Sequence, residues 1–213
     1  VAALIRHPAQ MVDAGGMRTL AEELAQTDSC RLDGLWPDAL RRHLAAEARA
    51  RAPLARLSRR VGHTVPGWPA DSRQYWLDRG PLLTAMLHTP QLLALASQLA
   101  GSGMTPFQAA YLYYPPGAYC GLHTDRAEFG VQMMVSLHGD VAPLLLHPEL
   151  ASATTGDLAE LAGPALGDRG VRLAYTRTGV TVFRGTRIPH ERPPQAGPGT
   201  AIVLALTYRS ATE

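Results

Sequence analysis

Residues 131–138 read VQMMVSLH. Val131, Met133, Val135 and Leu137 alternate with Gln132, Met134, Ser136 and His138, the period of a strand whose successive side chains point to opposite faces. β texture extends outward from this stretch in both directions. Upstream lies the aromatic-rich PFQAAYLYY (106–114); downstream come APLLLH (142–147), VRLAYTRT (171–178), VTVFRG (180–185) and AIVLALTYR (201–209). Short strands separated by turn residues, with no helices between them to make parallel crossovers, predict an antiparallel barrel or a double-sheet jelly roll. Residues 149–170, ELASATTGDLAELAGPALGDRG, read as a loop with one helical turn.

The chain before this region has a different period. MRTLAEELAQ (17–26) and the segment from Pro37 to about residue 60 are helical, with Leu40, Leu44 and Ala48 at four-residue spacing and Pro53 placed to break or kink the second helix. In HTPQLLALASQLAG (88–101), Thr89 can cap, Pro90 suits the first turn, Leu92, Leu95 and Leu99 form a core stripe, and Gly101 can end the helix. Residues 61–76, VGHTVPGWPADSRQYW, read as a Gly- and Pro-rich connector. The expectation is an α+β chain forming one domain over 1–213, mainly helical over 1–103 and β over 104–213.

Composition narrows the function classes. The net charge of +2 is too small for a general nucleic-acid binder. Seven arginines fall between residues 41 and 60, but Glu47 interrupts them and no aromatics interleave for base stacking, so they read as a solvated helix face. Every basic residue apart from histidine is arginine, because the chain has no lysine. Any cationic anchor for a carboxylate must therefore be a guanidinium. Cys30 and Cys120 stand far apart, without a C-x-x-C partner, and read as buried inert thiols. No apolar run reaches a membrane span, and the N-terminus shows no signal-peptide pattern, which makes the cytoplasm the expected compartment. The sequence leaves the oligomeric state open.

Between the aromatic strand and VQMMVSLH lies GLHTD (121–125), and the later VTVFRGTRIPHERPP (180–194) carries His190. His123, Asp125 and His190 make a 2-His-1-carboxylate set, the facial triad that suits non-haem Fe(II) and leaves coordination positions open. Side chains two apart on an extended chain share a side, so His123 and Asp125 can reach one ion. His138 and His147 lie on or after adjacent strands and read as packing or surface residues.

These motifs resemble those of the Fe(II)- and 2-oxoglutarate-dependent dioxygenases. YYPPGAYCGLHTD is similar to their aromatic-x-P-G lead-in to H-x-D, and VTVFRGTRIPHERPP to the strand and turn that bring the distal histidine. The resemblance covers roughly residues 104–209. It implies a double-stranded β-helix, of jelly-roll or cupin-like form, carrying N-terminal supporting helices. It also implies iron held by His123, Asp125 and His190, with 2-oxoglutarate and O2 consumed and succinate and CO2 released as an unactivated C–H bond is oxidised. An aspartate at 125 implies hydroxylation, desaturation or ring formation, since halogenating relatives carry a small residue there.

One element of the family pattern is missing. Most members hold the far carboxylate of 2-oxoglutarate with an Arg or Lys about ten residues after the distal histidine, where this chain has Thr200 and Ala201. Arg192 resembles the H-x-R placement of some biosynthetic members. Arg209, ending ALTYR, resembles the closing arginine of repair-type enzymes, whose second arginine corresponds to Val203. Tyr114 falls where the lead-in tyrosine of repair enzymes helps bind the cosubstrate. Arg192 is the first choice and Arg209 the second, while Arg184 and Arg187 read as surface residues. The substrate expected is a small metabolite, such as an amino acid or a natural-product intermediate. Two alternatives stand: an iron or cupin-like enzyme that uses no 2-oxoglutarate, and a non-catalytic jelly-roll binding module.

Overall fold

The structure is a computed structural model that describes residues 13–57, 75–161, 170–176 and 178–211. Its strands form two antiparallel sheets. Strands β1 (Ser29–Asp33), β2 (Arg56–Leu57), β3 (Tyr75–Asp78), β4 (Met104–Tyr114), β6 (Val131–His138), β9 (Gly179–Phe183) and β11 (Ala201–Ser210) make a large sheet in the order β1-β9-β6-β11-β4-β3-β2. Strands β5 (Cys120–His123), β7 (Leu144–Leu146), β8 (Val171–Leu173) and β10 (His190–Arg192) make a smaller sheet in the order β5-β10-β7-β8. This is the double-stranded β-helix core expected, with the helices of the first half on one side of it.

Alternation along the strands divides the interior into two layers. Val131, Met133 and Val135 of β6, with Leu204, Leu206 and Tyr208 of β11, join one core shared with the helices. Met134, with Val203, Ala205 and Ala201, joins a second core between the sheets, together with Tyr114, Cys120, Leu146 and Phe183. The period of two read in VQMMVSLH is thus a period between two buried faces, which explains why methionine occupies both phases.

Four helices cover the outer face of the large sheet: α1 (Ala14–Thr27), α2 (Asp38–Arg51), α3 (Pro81–Leu87) and α4 (Pro90–Ala100). Leu92, Leu95 and Leu99 of α4 are buried, and Gly101 closes that helix at φ 70°. Thr89 occupies the N-cap position, yet its hydroxyl donates backward to the Met86 carbonyl at 2.8 Å, so it closes α3 instead of capping α4. Pro53 does stop α2: it sits in the first turn of a 3-10 segment, Ala52–Leu54.

The first half is less purely helical than its sequence suggests. SCRLD buries Cys30 and Leu32 and exposes Arg31 and Asp33, pairing with β9 at one edge of the large sheet. Five residues between two helices carry too short an alternation to stand out, and pairing with β9 decides their conformation. β2 and β3 extend the other edge. Most of the 61–76 connector lies outside the described residues. The 149–170 segment holds more helix than one turn, α5 (Thr155–Leu161), while 162–169 lie outside the described residues.

Glu47 explains why the arginine-rich helix docks as it does. Its carboxylate accepts from the backbone N–H groups of Leu82 and Leu83, at 2.9 and 3.2 Å, and from the Tyr111 hydroxyl at 2.5 Å. One side chain thereby satisfies the open N-terminus of α3 and ties α2 to β4. Loss of a charged acceptor that serves three donors costs more than a neutral hydrogen bond. Glu47→Ala should lower the unfolding free energy by about 2–3 kcal/mol in urea denaturation, whereas Arg42→Ala on the exposed face of the same helix should change it by less than about 0.5 kcal/mol.

Candidate metal centre

The backbone of the small sheet brings the two histidines together. His190 begins β10 directly opposite His123 at the end of β5, and their ring centroids lie 4.3 Å apart. Asp125 follows β5 in a turn fixed by its own N–H, which donates to the Gly185 carbonyl at 2.9 Å. The result is a compact face. His123 Nε2 lies 3.7 Å from Asp125 Oδ1, and His190 Nε2 lies 3.7 Å from Asp125 Oδ2. One donor atom from each of the three residues falls within 4.8 Å of the others, the one such cluster of His, Cys, Asp and Glu side chains among the described residues.

Each imidazole is oriented through its other nitrogen. His123 Nδ1 contacts the Gly121 carbonyl at 2.8 Å, and His190 Nδ1 contacts the Ile188 carbonyl at 3.1 Å. A carbonyl only accepts, so both rings carry a proton on Nδ1 and turn Nε2 toward the shared centre. Burial holds His190 down at about 4, against the pull of Asp125, which keeps it neutral near neutral pH. For His123, burial acts in the same downward sense, but Cys120 and Asp125 outweigh it and raise the group. Asp125 lies below its ordinary value: burial pushes it up, and His190, His123 and Gln132 overcome that push.

Two members of this site were not singled out in the sequence. Gln132, on the inner face of β6, donates to Asp125 Oδ2 and fixes the carboxylate. The alternation of VQMMVSLH already placed Gln132 opposite the helix-facing residues, and that was the available signal. Gly185 is the second. A Cβ there would lie 1.8 Å from Asp125 Oδ2 and 2.8 Å from His190 Cε1, so only glycine lets the turn before His190 pass this close to the site.

Arg192 lies two residues along β10 from His190 and is 1 % exposed. Its guanidinium carbon sits 4.3 Å over the Tyr114 ring and 5.1 Å from the Tyr175 ring, and Nη2 donates to the Tyr175 hydroxyl. That hydroxyl in turn donates to Met134 Sδ at 3.3 Å. Nε and Nη1 are buried without a hydrogen-bond partner, and no carboxylate pairs with the group among the described residues. Cys120 pairs with Arg192 in register and places its sulfur 3.8 Å from His123 Nδ1, so this thiol borders the site, while Cys30 is buried in the helix-side core with its pKa pushed up to about 12. Tyr175 is a third residue that reading the sequence did not single out, because nothing in VRLAYTRT distinguishes it from a packing tyrosine.

The other candidates lie elsewhere. Arg209 is exposed near the end of β11, its guanidinium carbon 5.5 Å from the Phe107 ring centroid. Val203 and Ala201 face the inter-sheet core, so the position that usually supplies a cation supplies small apolar surface, and the buried cation comes from the opposite sheet. Arg184 donates to the Ala100 carbonyl, and Arg187, 59 % exposed, meets Asp28 at 3.5 Å. His138 is exposed. His147 is buried between Glu149, 3.1 Å from Nδ1, and Glu191, 3.4 Å from Nε2, and takes no part in the cluster.

Neither a protein-family model nor a curated protein matches the sequence. Solved structures do match the fold. The epimerase SnoN from nogalamycin biosynthesis, in complex with Fe3+, alpha ketoglutarate and nogalamycin RO, aligns over 94% of this chain and 86% of its own, with TM-score 0.72 and 14% identity. A Pseudomonas putida prolyl-4-hydroxylase aligns over 91% of this chain and 98% of its own, with TM-score 0.59 and 22% identity. EctD from S. alaskensis, solved with 2-oxoglutarate and 5-hydroxyectoine, aligns over 91% and 76%, with TM-score 0.65 and 17% identity. The fold is that of the 2-oxoglutarate-dependent oxygenases.

Gly185→Ala tests whether the face is a metal site, because its added methyl group displaces Asp125 without removing a donor. Calorimetric titration with Fe(II) or Co(II) should show metal affinity at least about tenfold weaker than in the wild type, and Gln132→Ala a loss of about 10- to 100-fold. Far-UV circular dichroism should be unchanged in both.

Proposed function

We propose that the protein is an Fe(II)- and 2-oxoglutarate-dependent oxygenase that acts on a small metabolite. The observation that carries this reading is the buried guanidinium of Arg192, on the same strand as His190, with Nε and Nη1 open and no carboxylate partner among the described residues. A buried cation without a counter-ion is costly, and the cost is offset when an anion occupies the site. Such a group beside a His-Asp-His face supports an acidic cosubstrate over an oxygenase that uses none.

The residues fit both absent groups. His123, Asp125 and His190 supply two imidazole nitrogens and one carboxylate oxygen, the donor set suited to ferrous iron with open positions, and His123, raised by Cys120 and Asp125, gives up a proton to ligate. Bound there with 2-oxoglutarate, iron supplies the oxidative chemistry that turns O2 and the keto acid into an oxidant for a C–H bond. The chain's own work is binding and orientation. Arg192 receives the far carboxylate of the cosubstrate through Nη1, one of the two donor nitrogens left open. Tyr175 accepts from Nη2 and so holds the guanidinium in plane, while Tyr114 supports one face through its ring. Leu112, Met134 and Ala205 wall this end of the inter-sheet space with apolar surface and exclude water. Gln132 keeps Asp125 turned toward the histidines.

Neighbours of similar fold include proteins named as an epimerase and a carbocyclase of nogalamycin biosynthesis. They support a biosynthetic metabolite as the substrate class, and the carbocyclase supports ring formation and the prolyl-4-hydroxylase hydroxylation among the reactions open to the site.

Succinate formation from 2-oxoglutarate, followed by NMR, tests the reading. The wild type should release succinate when supplied with Fe(II), ascorbate and air. His123→Ala and Asp125→Ala should each lower the rate by at least about 10³-fold, in line with loss of an ion on which the chemistry depends. Absence of succinate from the wild type would favour an oxygenase that does without the cosubstrate. Unchanged iron content in the two variants would favour the non-catalytic module.

A further inference from the structure

The large sheet carries a second arginine on the same inner face. On β11 the odd-numbered residues face the inter-sheet space, since Ala201, Val203 and Ala205 belong to that core while Leu204, Leu206 and Tyr208 belong to the helix side. Thr207 continues the inner row opposite Gln132, which binds Asp125, so the metal face stands level with Thr207. Tyr114, which stacks on Arg192, pairs with Ala201 at the other end of the strand. Arg209 lies two residues beyond Thr207, about 7 Å further along β11 on the side away from Arg192. The metal face is therefore flanked by two arginines, one buried and one exposed.

An aromatic pair stands beside Arg209. β4 and β11 slip register between Thr207 and Tyr208, where Gln108 and Pro106 are consecutive partners and Phe107 forms a bulge. A bulge re-aims its side chain, and here the Phe107 ring comes to 5.5 Å from the Arg209 guanidinium carbon. Phe107 meets Phe129 edge to face at 5.5 Å, and Phe129 closes the turn that follows Asp125. Arg209 stands against the Phe107 ring of this pair, and no carboxylate among the described residues pairs with it. The exposed guanidinium offers its N–H groups to a bidentate partner.

We infer that Arg209, Phe107 and Phe129 form the prime-substrate subsite and that the substrate is a carboxylic acid with an apolar or aromatic body. Its carboxylate meets Arg209, its body lies on the two rings, and its other end extends past Gln108 and Thr207 toward Asp125. A single guanidinium matches the charge of one carboxylate. This rests on the proposed oxygenase reading, in which Arg192 is taken by the cosubstrate, leaving Arg209 for a second acid.

The test uses anaerobic Fe(II)-loaded protein saturated with 2-oxoglutarate and the probe pair 3-phenylpropionate and 3-phenylpropionamide, with affinities from ligand-observed NMR. In the wild type the acid should bind at least tenfold more tightly than the amide. In Arg209→Gln the two should agree within twofold, and Arg209→Lys should recover part of the difference. The 2-oxoglutarate affinity, measured separately by calorimetry, should be the same in all three proteins. Equal affinities in the wild type, no binding of either probe, or a preference that survives Arg209→Gln overturns the subsite. An Arg209-dependent preference for the acid in a protein that fails to bind 2-oxoglutarate upholds the subsite and sinks the oxygenase reading instead.

Discussion

The pairing of His190 with His123 across β5 and β10 is the constraint on which the site depends. The residues lie 67 positions apart in the sequence, and no local preference brings them together. Backbone register does so, and with it comes everything on the same inward phase: Arg192 two residues beyond His190, and Cys120 as its partner. Asp125 is then set by a turn whose N–H reaches Gly185, just before the distal histidine. A slip of one residue between these strands would turn His190 and Arg192 away from the inter-sheet space and put Glu191 in their place. Glu191 instead meets His147 on the other side of the sheet.

Arg192 is a second constraint, of opposite character. The histidines are satisfied by backbone carbonyls and Asp125 by Gln132, but the guanidinium is buried with two of its nitrogens unsatisfied. Rings of Tyr114 and Tyr175 soften the cost without neutralising the charge. A fold that keeps such a group beside a candidate metal face gives up stability there, which is intelligible if an acid binds in the gap. The outer face shows the contrary arrangement: Glu47 is matched to three donors and works purely to join α2, α3 and β4.

The parts of the structure legible in the sequence were those with a period or a motif. Alternation in VQMMVSLH gave β6 to the residue, and the leucine stripe with Pro90 and Gly101 gave α4. H-x-D with a later histidine picked out the three residues that the fold assembles into one face. What was hidden depended on pairing. SCRLD becomes a strand because β9 lies beside it. Gly185 matters because Asp125 arrives from elsewhere, and Tyr175 because Arg192 does. The sequence ranked Arg192 before Arg209 through its place two residues after His190, without showing why only one could serve. Burial separates them, since one is enclosed between the sheets and the other lies at the edge.

The central claim is that the His-Asp-His face and Arg192 bind iron and 2-oxoglutarate as one unit. Anaerobic titration of the Fe(II)-loaded protein with 2-oxoglutarate, followed in the visible region, tests it most directly. The account predicts a metal-to-ligand charge-transfer band that saturates in the wild type, and that in Arg192→Met develops only at concentrations at least about a hundredfold higher, as expected for loss of a buried charge-assisted pair. No band in the wild type, or one that saturates equally in Arg192→Met, would contradict it.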